Sequence, residues 1–523
     1  MQRLDFHRFT EPLTLLLLAG VCYLLFFHAL SDIGLIGPDE PRYAAVAQEM
    51  YQSGDFITPR LHGTPWFEKP VLMYWGAAAS YAIFGVGEFG ARFPSAFGAT
   101  LTVFFVYFCC RRLWGRATAV WASLILASSV GYFAFARAAS MDMPLTICLT
   151  MALLSFLLGY NSTSSDRRWW FLAFYAFIGF GVLAKGPVAI VLPVLSLSTF
   201  LLFRGRFNEW KEWYPRYALI TLAIASPWYL AVTWVNGFEF VQVFLINQNI
   251  ERFTSTVHGH PRPFYFYIPD FLMLTFPWTF LILPALRRTL DRNDRLLICW
   301  TFVPIVFFSL SGSKLPGYIL PSVPAMLMLC AREIPKGYSR AFRIAVFIEA
   351  GAMLFIGVAF GFFGPMLNVD SHVNGFVILG VTSVLAAFLV AIALWLKPPV
   401  FACFNLAVMI LSVLVATSFV LPRFETSDTM RPWQPVLRKI IRDDEIVVLY
   451  RPKPWMEYGM QFYRFNKTRS VYSPEDLAAA LGPAKTLFIA DEKGMLDIGD
   501  AGAEIEVLET VGNQTAFWAS QAR

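Results

Sequence analysis

The chain has 523 residues, of which 57% are hydrophobic and 15% are charged, and its formal net charge is +6. A soluble protein carries roughly 25% charged residues, so the composition excludes an ordinary soluble chain and indicates an integral membrane protein. Most basic residues lie in short loops without interleaved aromatic residues, which argues against a nucleic-acid-binding surface.

Repeated apolar runs predict about thirteen membrane-spanning helices, because each run is long enough for a hydrocarbon core roughly 30 Å thick. The predicted spans lie near residues 12–30, 93–110, 117–135, 141–160, 169–184, 187–203, 217–235, 268–286, 296–311, 317–331, 342–363, 375–396 and 400–420. The fold class that we predict is an α-helical polytopic membrane protein.

The orientation depends on segment 71–86, which is apolar but short. If it crossed the membrane, basic clusters such as Arg111/Arg112 and Arg287/Arg288 would lie outside, against the positive-inside rule. We therefore predict that it lies along the surface or re-enters, with the N-terminus inside and the C-terminus outside. The polar loops then gather on the outer face.

The first polar loop, residues 31–92, brings charges of both signs together between apolar runs. Pro41 suits the first turn of a helix, Asp39 or Glu40 can cap it, and Gly54 suits its end. Tyr43 and the apolar residues that follow share one face, which predicts a helix lying flat on the membrane surface.

The composition changes after residue 423. Strand patterns at 445–450, 486–490 and 504–509 and a helix pattern at 474–481 predict a small α/β domain. We therefore divide the chain into a membrane domain, residues 1–423, and an extracytoplasmic α/β domain, residues 424–523.

Three carboxylates lie at outer helix ends and are candidates for catalysis: Asp39, Glu40 and Asp142. A positioned carboxylate can take the proton from an acceptor hydroxyl as a sugar is transferred. The alternative is structural, since Asp39 and Glu40 could cap a helix and pair with Arg42, and Asp142 could cap the span that it begins.

Glu68 and Lys69 are neighbours with opposite charges. A divalent metal held by Glu68 and a phosphate held by Lys69 would explain both, and His260 is a candidate second metal ligand. His258 is the competing choice. From the spacing alone, an ordinary surface histidine is an open alternative.

Five cations fall on the predicted outer face and suggest a shared anionic ligand, for which a lipid-linked phosphate is the natural choice in a membrane. They are Arg42, Lys69, Lys185, Arg262 and Lys314. Tyr318, which ends the polar segment that contains Lys314, is included in the predicted phosphate-binding set. The alternative for each lysine is a side chain that reaches from an apolar helix end to the interface.

The polar segments contain a set of short motifs. In chain order they are Pro-Asp-Glu-Pro-Arg-Tyr, Gly-Asp-Phe-Ile-Thr-Pro-Arg, Phe-Glu-Lys-Pro, Arg-Phe-Pro-Ser-Ala, Ala-Ser-Met-Asp, Leu-Ala-Lys-Gly-Pro, Asn-Ile-Glu-Arg-Phe, His-Pro-Arg-Pro-Phe-Tyr-Phe-Tyr and Lys-Leu-Pro-Gly-Tyr. As an ordered set, these motifs resemble those of the polyprenyl-phosphate-sugar-dependent glycosyltransferases with the C-type membrane fold. The similarity is to the branch that contains the aminoarabinose transferases acting on lipid A, with protein O-mannosyltransferases as distant relatives.

This resemblance implies an enzyme of the bacterial inner membrane with its active site at the periplasmic face and an undecaprenyl-phosphate-linked sugar as donor. It implies Asp39 as the base and Asp142 on the acceptor side. Glu68 and His260 match the family's metal ligands, with zinc suggested, and Lys69 and Lys185 match donor-phosphate contacts.

The leading hypothesis is transfer of aminoarabinose to lipid A. Protein or polysaccharide glycosylation, including mannosyl transfer, is the alternative within the same chemistry. A lipid transporter or flippase is the alternative of another class, but such proteins place charges at the bilayer midplane and show internal repeats. The charges here lie at one face and no repeat is visible.

Overall fold

The computed structural model describes residues 6–254, 262–363, 375–393 and 395–521. The chain divides into two compact units, each built from separate stretches of sequence. The first consists of Met1–His28, Phe67–Met73 and Arg92–Ala416, and the second of Ala29–Trp66, Tyr74–Ala91 and Thr417–Arg523.

Helices account for most of the described chain. Those before the first gap are α1 Phe6–Cys22, α2 Asp39–Ser53, α3 Leu72–Phe84, α4 Glu88–Trp114, α5 Arg116–Ser128, α6 Val130–Ala136, α7 Asp142–Asn161, α8 Arg167–Lys185, α9 Val188–Arg204, α10 Ala218–Asn236, α11 Phe238–Val241 and α12 Arg252–Thr254. Those after it are α13 Tyr267–Leu274, α14 Ile282–Arg287, α15 Arg292–Ser309, α16 Val323–Ala331, α17 Arg340–Phe363, α18 Gly375–Ala393, α19 Pro398–Val415, α20 Glu425–Asp428, α21 Trp433–Ile440, α22 Pro454–Tyr463, α23 Pro474–Ala480 and α24 Glu492–Asp500.

The expected number of about thirteen spans is not confirmed. Within the described residues, five helices are long and apolar enough to cross a membrane, or up to seven if each of two bent helix pairs is one span. One predicted span is broken between Phe264–Leu274 and Trp278–Arg287, which meet at 106°. Pro277 lies at this break, where its missing N–H prevents the helix from continuing.

Segment 71–86 folds as α3, which has only 13 residues. At 1.5 Å per residue such a helix is about 20 Å long, less than a hydrocarbon core. Its length agrees with the prediction that this segment does not cross.

The centre of the first unit is α7. Nearly all of its side chains are buried, and it packs against α8 and against the 3₁₀ turn Pro316–Ser322. This packing brings together the N-terminus of α7, the C-terminus of α8 and the loop that follows α15. Each of these three segments contributes a polar residue to the candidate site.

The second unit contains a five-stranded mixed sheet in the order β4-β3-β5-β7-β6 among its described residues. The strands of the described chain are β1 Arg60–Leu61, β2 Thr64–Pro65, β3 Val447–Tyr450, β4 Thr468–Val471, β5 Thr486–Ala490, β6 Ala503–Val511 and β7 Gln514–Gln521. Strand β3 is buried throughout and parallel to both neighbours, as expected for a strand with helices on both faces.

The sequence patterns located part of this sheet. The 486–490 strand is observed as predicted, and the 474–481 helix is observed as α23, capped by the Ser473 hydroxyl, which accepts from the Asp476 N–H at 3.1 Å. Strands β4 and β7 and helices α21, α22 and α24 were not predicted. Strand β4 is short and only partly buried, so it lacks a clear apolar alternation.

Helix α2 of the first polar loop packs against α22 within the second unit. The Gln461 amide donates to Glu49 at 3.1 Å, and the Leu35 N–H donates to the Tyr463 hydroxyl at 3.0 Å. Helix α2 ends at Gly54, whose φ of +72° is the left-handed conformation that glycine adopts without strain. The loop is therefore held by the C-terminal segment as well as by its own turns.

Candidate active site

Asp142 and Lys185 form an ion pair at the helix ends brought together by α7 and α8. Their side chains are 18% and 12% exposed, and the Lys185 ammonium group lies 4.5 Å from the centre of the Tyr318 ring. Gly317 allows this approach, because a Cβ atom there would collide with the Asp142 carboxylate. The pair is therefore fixed against a backbone that has no room for a side chain.

Glu68 is the centre of a second charged group in the same unit. Its Oε1 lies 3.3 Å from the Lys69 ammonium nitrogen and 3.4 Å from Nη1 of Arg252. Arg252 also donates to the Gln248 side-chain oxygen at 3.2 Å. The Glu68 carboxylate thus joins two cations that come from distant parts of the sequence.

Both groups border one cavity of about 610 Å³. Its polar end is formed by Glu68, Lys69, Lys185, Arg252 and Tyr318. The remaining wall is mostly apolar and includes Pro187, Val188, Val191, Phe244, Leu245, Ile246, Phe253, Phe307 and Phe308. An elongated apolar molecule with an anionic end would match this distribution of charge and apolar surface.

Lys314 and Arg262 do not line this cavity. The Lys314 ammonium group is buried and donates to the backbone carbonyl of Ser311 at 2.5 Å. Arg262 is exposed, and its guanidinium lies 5.7 Å from the centre of the Phe266 ring. Their predicted contact with the donor phosphate stays a prediction.

Asp39, Glu40 and Arg42 belong to the second unit, at the start of α2. Asp39 is 58% exposed and its Oδ1 lies 2.6 Å from Nη2 of Arg42. Glu40 is buried and accepts the backbone N–H of Ile36 at 2.9 Å. The expected side-chain cap at the start of this helix is not formed; Glu40 instead closes the turn that precedes it.

Arg42 lies among aromatic rings of the second unit. Its guanidinium carbon is 5.0 Å from the centre of the Tyr43 ring, 5.9 Å from Trp66 and 5.6 Å from Tyr458. Cation–π contacts of this kind hold a guanidinium in one orientation. Arg42 in turn holds the Asp39 carboxylate.

The predicted metal ligand His260 and its competitor His258 lie outside the described residues. Among the residues that are described, no group of three or more His, Cys, Asp or Glu side chains could hold a metal ion. Glu68, the other predicted ligand, is already in contact with two cations. The described residues therefore do not by themselves form a metal centre.

Arg252 is the cavity residue that the analysis of single charges missed. It lies in the Asn-Ile-Glu-Arg-Phe segment, which carries part of the family resemblance. That motif could have identified Arg252 as a candidate site residue. Its contact with Glu68, 184 positions away, is a property of the tertiary structure only.

Known proteins resemble both the sequence and the fold of this chain. The family described as dolichyl-phosphate-mannose-protein mannosyltransferase matches residues 12–243. The undecaprenyl phosphate-alpha-4-amino-4-deoxy-L-arabinose arabinosyl transferase of Pseudomonas paraeruginosa is 32% identical over 357 residues, which are 66% of this chain and 63% of the relative. The transferase of the same name from Pectobacterium carotovorum is 33% identical over 350 residues, 64% of this chain and 63% of the relative.

The chain is similar in sequence to the aminoarabinose transferases. The crystal structure of ArnT from Cupriavidus metallidurans bound to undecaprenyl phosphate has the same fold, with a TM-score of 0.83, 22% identity and coverage of 96% of this chain and 97% of the other. The matched sequence spans a little under two thirds of the curated aminoarabinose transferases.

Proposed function

We propose that this chain belongs to the C-type aminoarabinose transferase family and is a membrane glycosyltransferase. It transfers a sugar from an undecaprenyl-phosphate-linked donor to lipid A, and the sugar is aminoarabinose. The observation that carries the proposal is the cavity of about 610 Å³ with apolar walls and a cationic end. A polyprenyl phosphate has the complementary form, an apolar tail that ends in an anion.

The charges at the polar end support a phosphate ligand. Lys69, Lys185 and Arg252 are cationic, whereas Glu68 and the partner of Lys185, Asp142, are anionic. Three cations and two carboxylates leave an excess positive charge in a partly buried site, where water screens charge poorly. A phosphate would neutralise this excess and accept charge-assisted hydrogen bonds.

The reaction follows from this placement. An acceptor oxygen attacks the anomeric carbon of the sugar, the bond from that carbon to the phosphate oxygen breaks, and undecaprenyl phosphate leaves with the bonding electron pair. Lys69, Lys185 and Arg252 stabilise the charge that develops on the phosphate. Attack opposite the leaving group inverts the anomeric centre.

The proton of the acceptor has to be removed as the new bond forms. We assign this step to Asp39, because its carboxylate is exposed and held by Arg42, and a positioned carboxylate can take the proton from a hydroxyl. Asp142 is assigned to the acceptor side, and buried Glu40 supports the loop that carries Asp39. Lys314, Arg262, Arg42 and Tyr318 complete the donor-phosphate set predicted from the sequence.

The proposed setting is the bacterial inner membrane, with about thirteen spans and the site at the periplasmic face. The helices that are long and apolar enough to cross a membrane support the membrane location, and the positive-inside distribution of arginines supports the orientation. The sheet of residues 424–523 is proposed to lie on the same outer face. Its domain boundary at residue 423 is part of this proposal.

Zinc held by Glu68 and His260 remains a prediction, and no step of the proposed reaction is assigned to it. Bound zinc would supply positive charge near the leaving phosphate. Elemental analysis of the purified chain, with Glu68→Gln and His260→Ala as matched variants, tests the prediction. Zinc at one equivalent in the wild type and none in either variant would support it; zinc that is retained in both would contradict it.

A second candidate is protein mannosylation, which the match to the mannosyltransferase family over residues 12–243 supports. The two candidates differ in sugar and acceptor but share a polyprenyl-phosphate donor. Mass spectrometry of lipid A and of glycoproteins from cells with and without the gene separates them. An added aminoarabinose mass on lipid A is the expected result, and a change confined to glycoproteins would favour the second candidate.

The direct test uses the purified chain in proteoliposomes with undecaprenyl-phosphate aminoarabinose and lipid A. We expect gene-dependent formation of modified lipid A that is lost when Lys69 and Lys185 are both replaced by methionine. Movement of the donor between leaflets without product would instead identify a flippase. The double variant Lys485→Met/Lys493→Met, which removes two exposed lysines of the other unit, is the charge-matched control.

A further inference from the structure

A small basic pocket lies on the second unit, apart from the residues assigned above. Its volume is about 220 Å³, and it is bordered by the segment from Tyr463 to Lys467 and by α21. Sites for drug-sized molecules occupy roughly 300–1,000 Å³. A pocket of this size suits a single small group rather than a whole lipid.

Three cations line the pocket, Arg438, Arg464 and Lys467, against one carboxylate, Asp443. Asp443 lies 3.3 Å from Arg464, and its side chain is 93% exposed, so water screens its charge. Among the described residues no carboxylate pairs with Arg438 or Lys467. The pocket therefore has an excess of positive charge and a weak internal counter-ion.

Arg464 gives the pocket a fixed, buried donor. Its side chain is only 7% exposed, and its Nη2 donates to the carbonyl oxygens of Arg442 and Glu445 at 2.8 Å each. Its Nε is buried and has no hydrogen-bond partner among the described residues. A buried donor of a charged group without a partner is costly, and an anion in the pocket would satisfy it.

The local backbone orders the cations before any ligand arrives. Arg464 ends α22 with its N–H bonded to the Met460 carbonyl, and the Lys467 N–H bonds to the Arg464 carbonyl at 2.8 Å. Asn466 adopts a left-handed φ of 52°, and its side chain accepts from Gln461 at 2.7 Å. Asparagine tolerates this conformation well. Arg464 and Lys467 are thus held on one tight turn.

We propose that this pocket binds a terminal phosphate group, either a phosphate monoester or inorganic phosphate. Phosphate matches the cation excess, the forked guanidinium and the small volume, since Arg recognises phosphate oxygens through several donors at once. The group can belong to a membrane lipid headgroup or to free phosphate. This site does not depend on the proposed sugar transfer, because none of its residues borders the cavity of the first unit.

The pocket also connects to the first polar loop within the second unit. Tyr463 borders the pocket, and its hydroxyl accepts from Leu35 N–H and donates to Glu88 at 2.9 Å. Leu35 is adjacent to Ile36, whose N–H is bound by Glu40 of α2. A ligand in the pocket would therefore lie against the residue that ties this loop to α22.

The test is calorimetric titration of inorganic phosphate into the full chain in nanodiscs of phosphatidylcholine. A Lys185→Met background lowers any contribution from the cavity of the first unit. Lys467→Gln and Arg438→Gln are each expected to weaken binding about tenfold. Losing one charge-assisted hydrogen bond raises the dissociation constant by roughly a factor of ten. Lys439→Gln removes a charge from the same helix but lies outside the pocket, so it is expected to leave binding unchanged.

A second arm identifies the source of the phosphate. Nanodiscs containing phosphatidic acid present a phosphate monoester on a lipid, and loss of the free-phosphate signal in them would assign the pocket to a headgroup. An unchanged signal would assign it to free phosphate. Absence of binding in the Lys185→Met protein, or equal binding by the double variant Arg438→Gln/Lys467→Gln and by Lys439→Gln, would overturn the proposal. Unfolding midpoints equal to that of the Lys185→Met parent verify that the variants are folded.

Discussion

Lys185 forms an ion pair with Asp142 across 43 positions of sequence, at the end of α8 and the start of the buried helix α7. The contact fixes a cation at the polar end of the cavity. It also removes most of the freedom that a lysine at an exposed helix end would have. The ammonium group is positioned before any ligand binds, so little reorganisation is needed when a phosphate arrives.

We expect Lys185→Met to reduce transfer at least hundredfold and to lower stability. Removing one partner of a largely buried pair leaves the other charge uncompensated, at a cost of about 3 kcal/mol. The double variant Lys185→Met/Asp142→Asn should regain most of the unfolding midpoint but no transfer. Equal loss of stability in the single and double variants would show that Lys185 does not stabilise the fold by neutralising Asp142.

Gly317→Ala is expected to lower transfer at least tenfold. The new Cβ atom would meet the Asp142 carboxylate and lie 2.9 Å from Phe135, so the carboxylate has to move. Gly351→Ala is the control, because Gly351 has open space at its Cβ position and lies in α17. Proteoliposome assays of both variants check the prediction, and full activity of Gly317→Ala would contradict it.

Arg252→Gln is expected to weaken binding of undecaprenyl phosphate about tenfold, because the residue borders the cavity and contacts Glu68. Arg252→Lys should retain part of the affinity, since a lysine keeps the positive charge but lacks the paired N–H donors of the planar guanidinium group. Arg262→Gln should have a smaller effect, because its guanidinium is exposed. Binding measured with a fluorescent polyprenyl phosphate distinguishes the three. A larger loss of affinity for Arg262→Gln than for Arg252→Gln would identify Arg262, rather than Arg252, as the main phosphate contact.

Asp39→Asn is expected to reduce transfer at least hundredfold while donor binding is kept, since general-base catalysis contributes roughly 10²–10⁴-fold. Asparagine cannot accept the proton but preserves the shape and the hydrogen bond from Arg42. Asp500→Asn, a charge-matched change at the end of α24, is the control. Normal transfer by Asp39→Asn would count against this residue as the base.

The loop before α15 should give a pH-dependent contribution to stability. Burial raises the pKa of Asp291, but hydrogen bonds from Arg332 and from the backbone N–H of Asp294 outweigh it and hold that pKa below its ordinary value. The stabilisation is therefore complete above the ordinary value of about 3.9 and is lost as the pH falls through the lower folded value.

Asp291→Asn tests this contribution because asparagine keeps the helix cap. The unfolding midpoint of the variant should be lower than that of the wild type at pH 7. The difference should shrink as the pH falls below the ordinary value of about 3.9 and through the lower folded value. A constant difference across this range would show that the charge of Asp291 is not responsible.

The sequence by itself determined that the protein belongs in a membrane, which segments are polar and which family it resembles. These properties follow from composition and from short motifs, which act locally. It also located strand β5 and helix α23, because their apolar periodicity and the Ser473 cap are local signals. The number of spans was not determined, since two of the predicted spans are bent helix pairs whose halves meet at 64° and 106°, and apolar composition alone does not reveal such a bend.

Only the tertiary structure decided which charged residues share a site. Glu68 meets Arg252, and Lys185 meets Asp142 and Tyr318, because buried helices bring distant segments together. The same packing left Lys314 bound to a backbone carbonyl, although its motif resembles that of Lys185. The sequence identifies which residues are charged, but the partner of each charged residue is set by contacts between residues far apart in sequence.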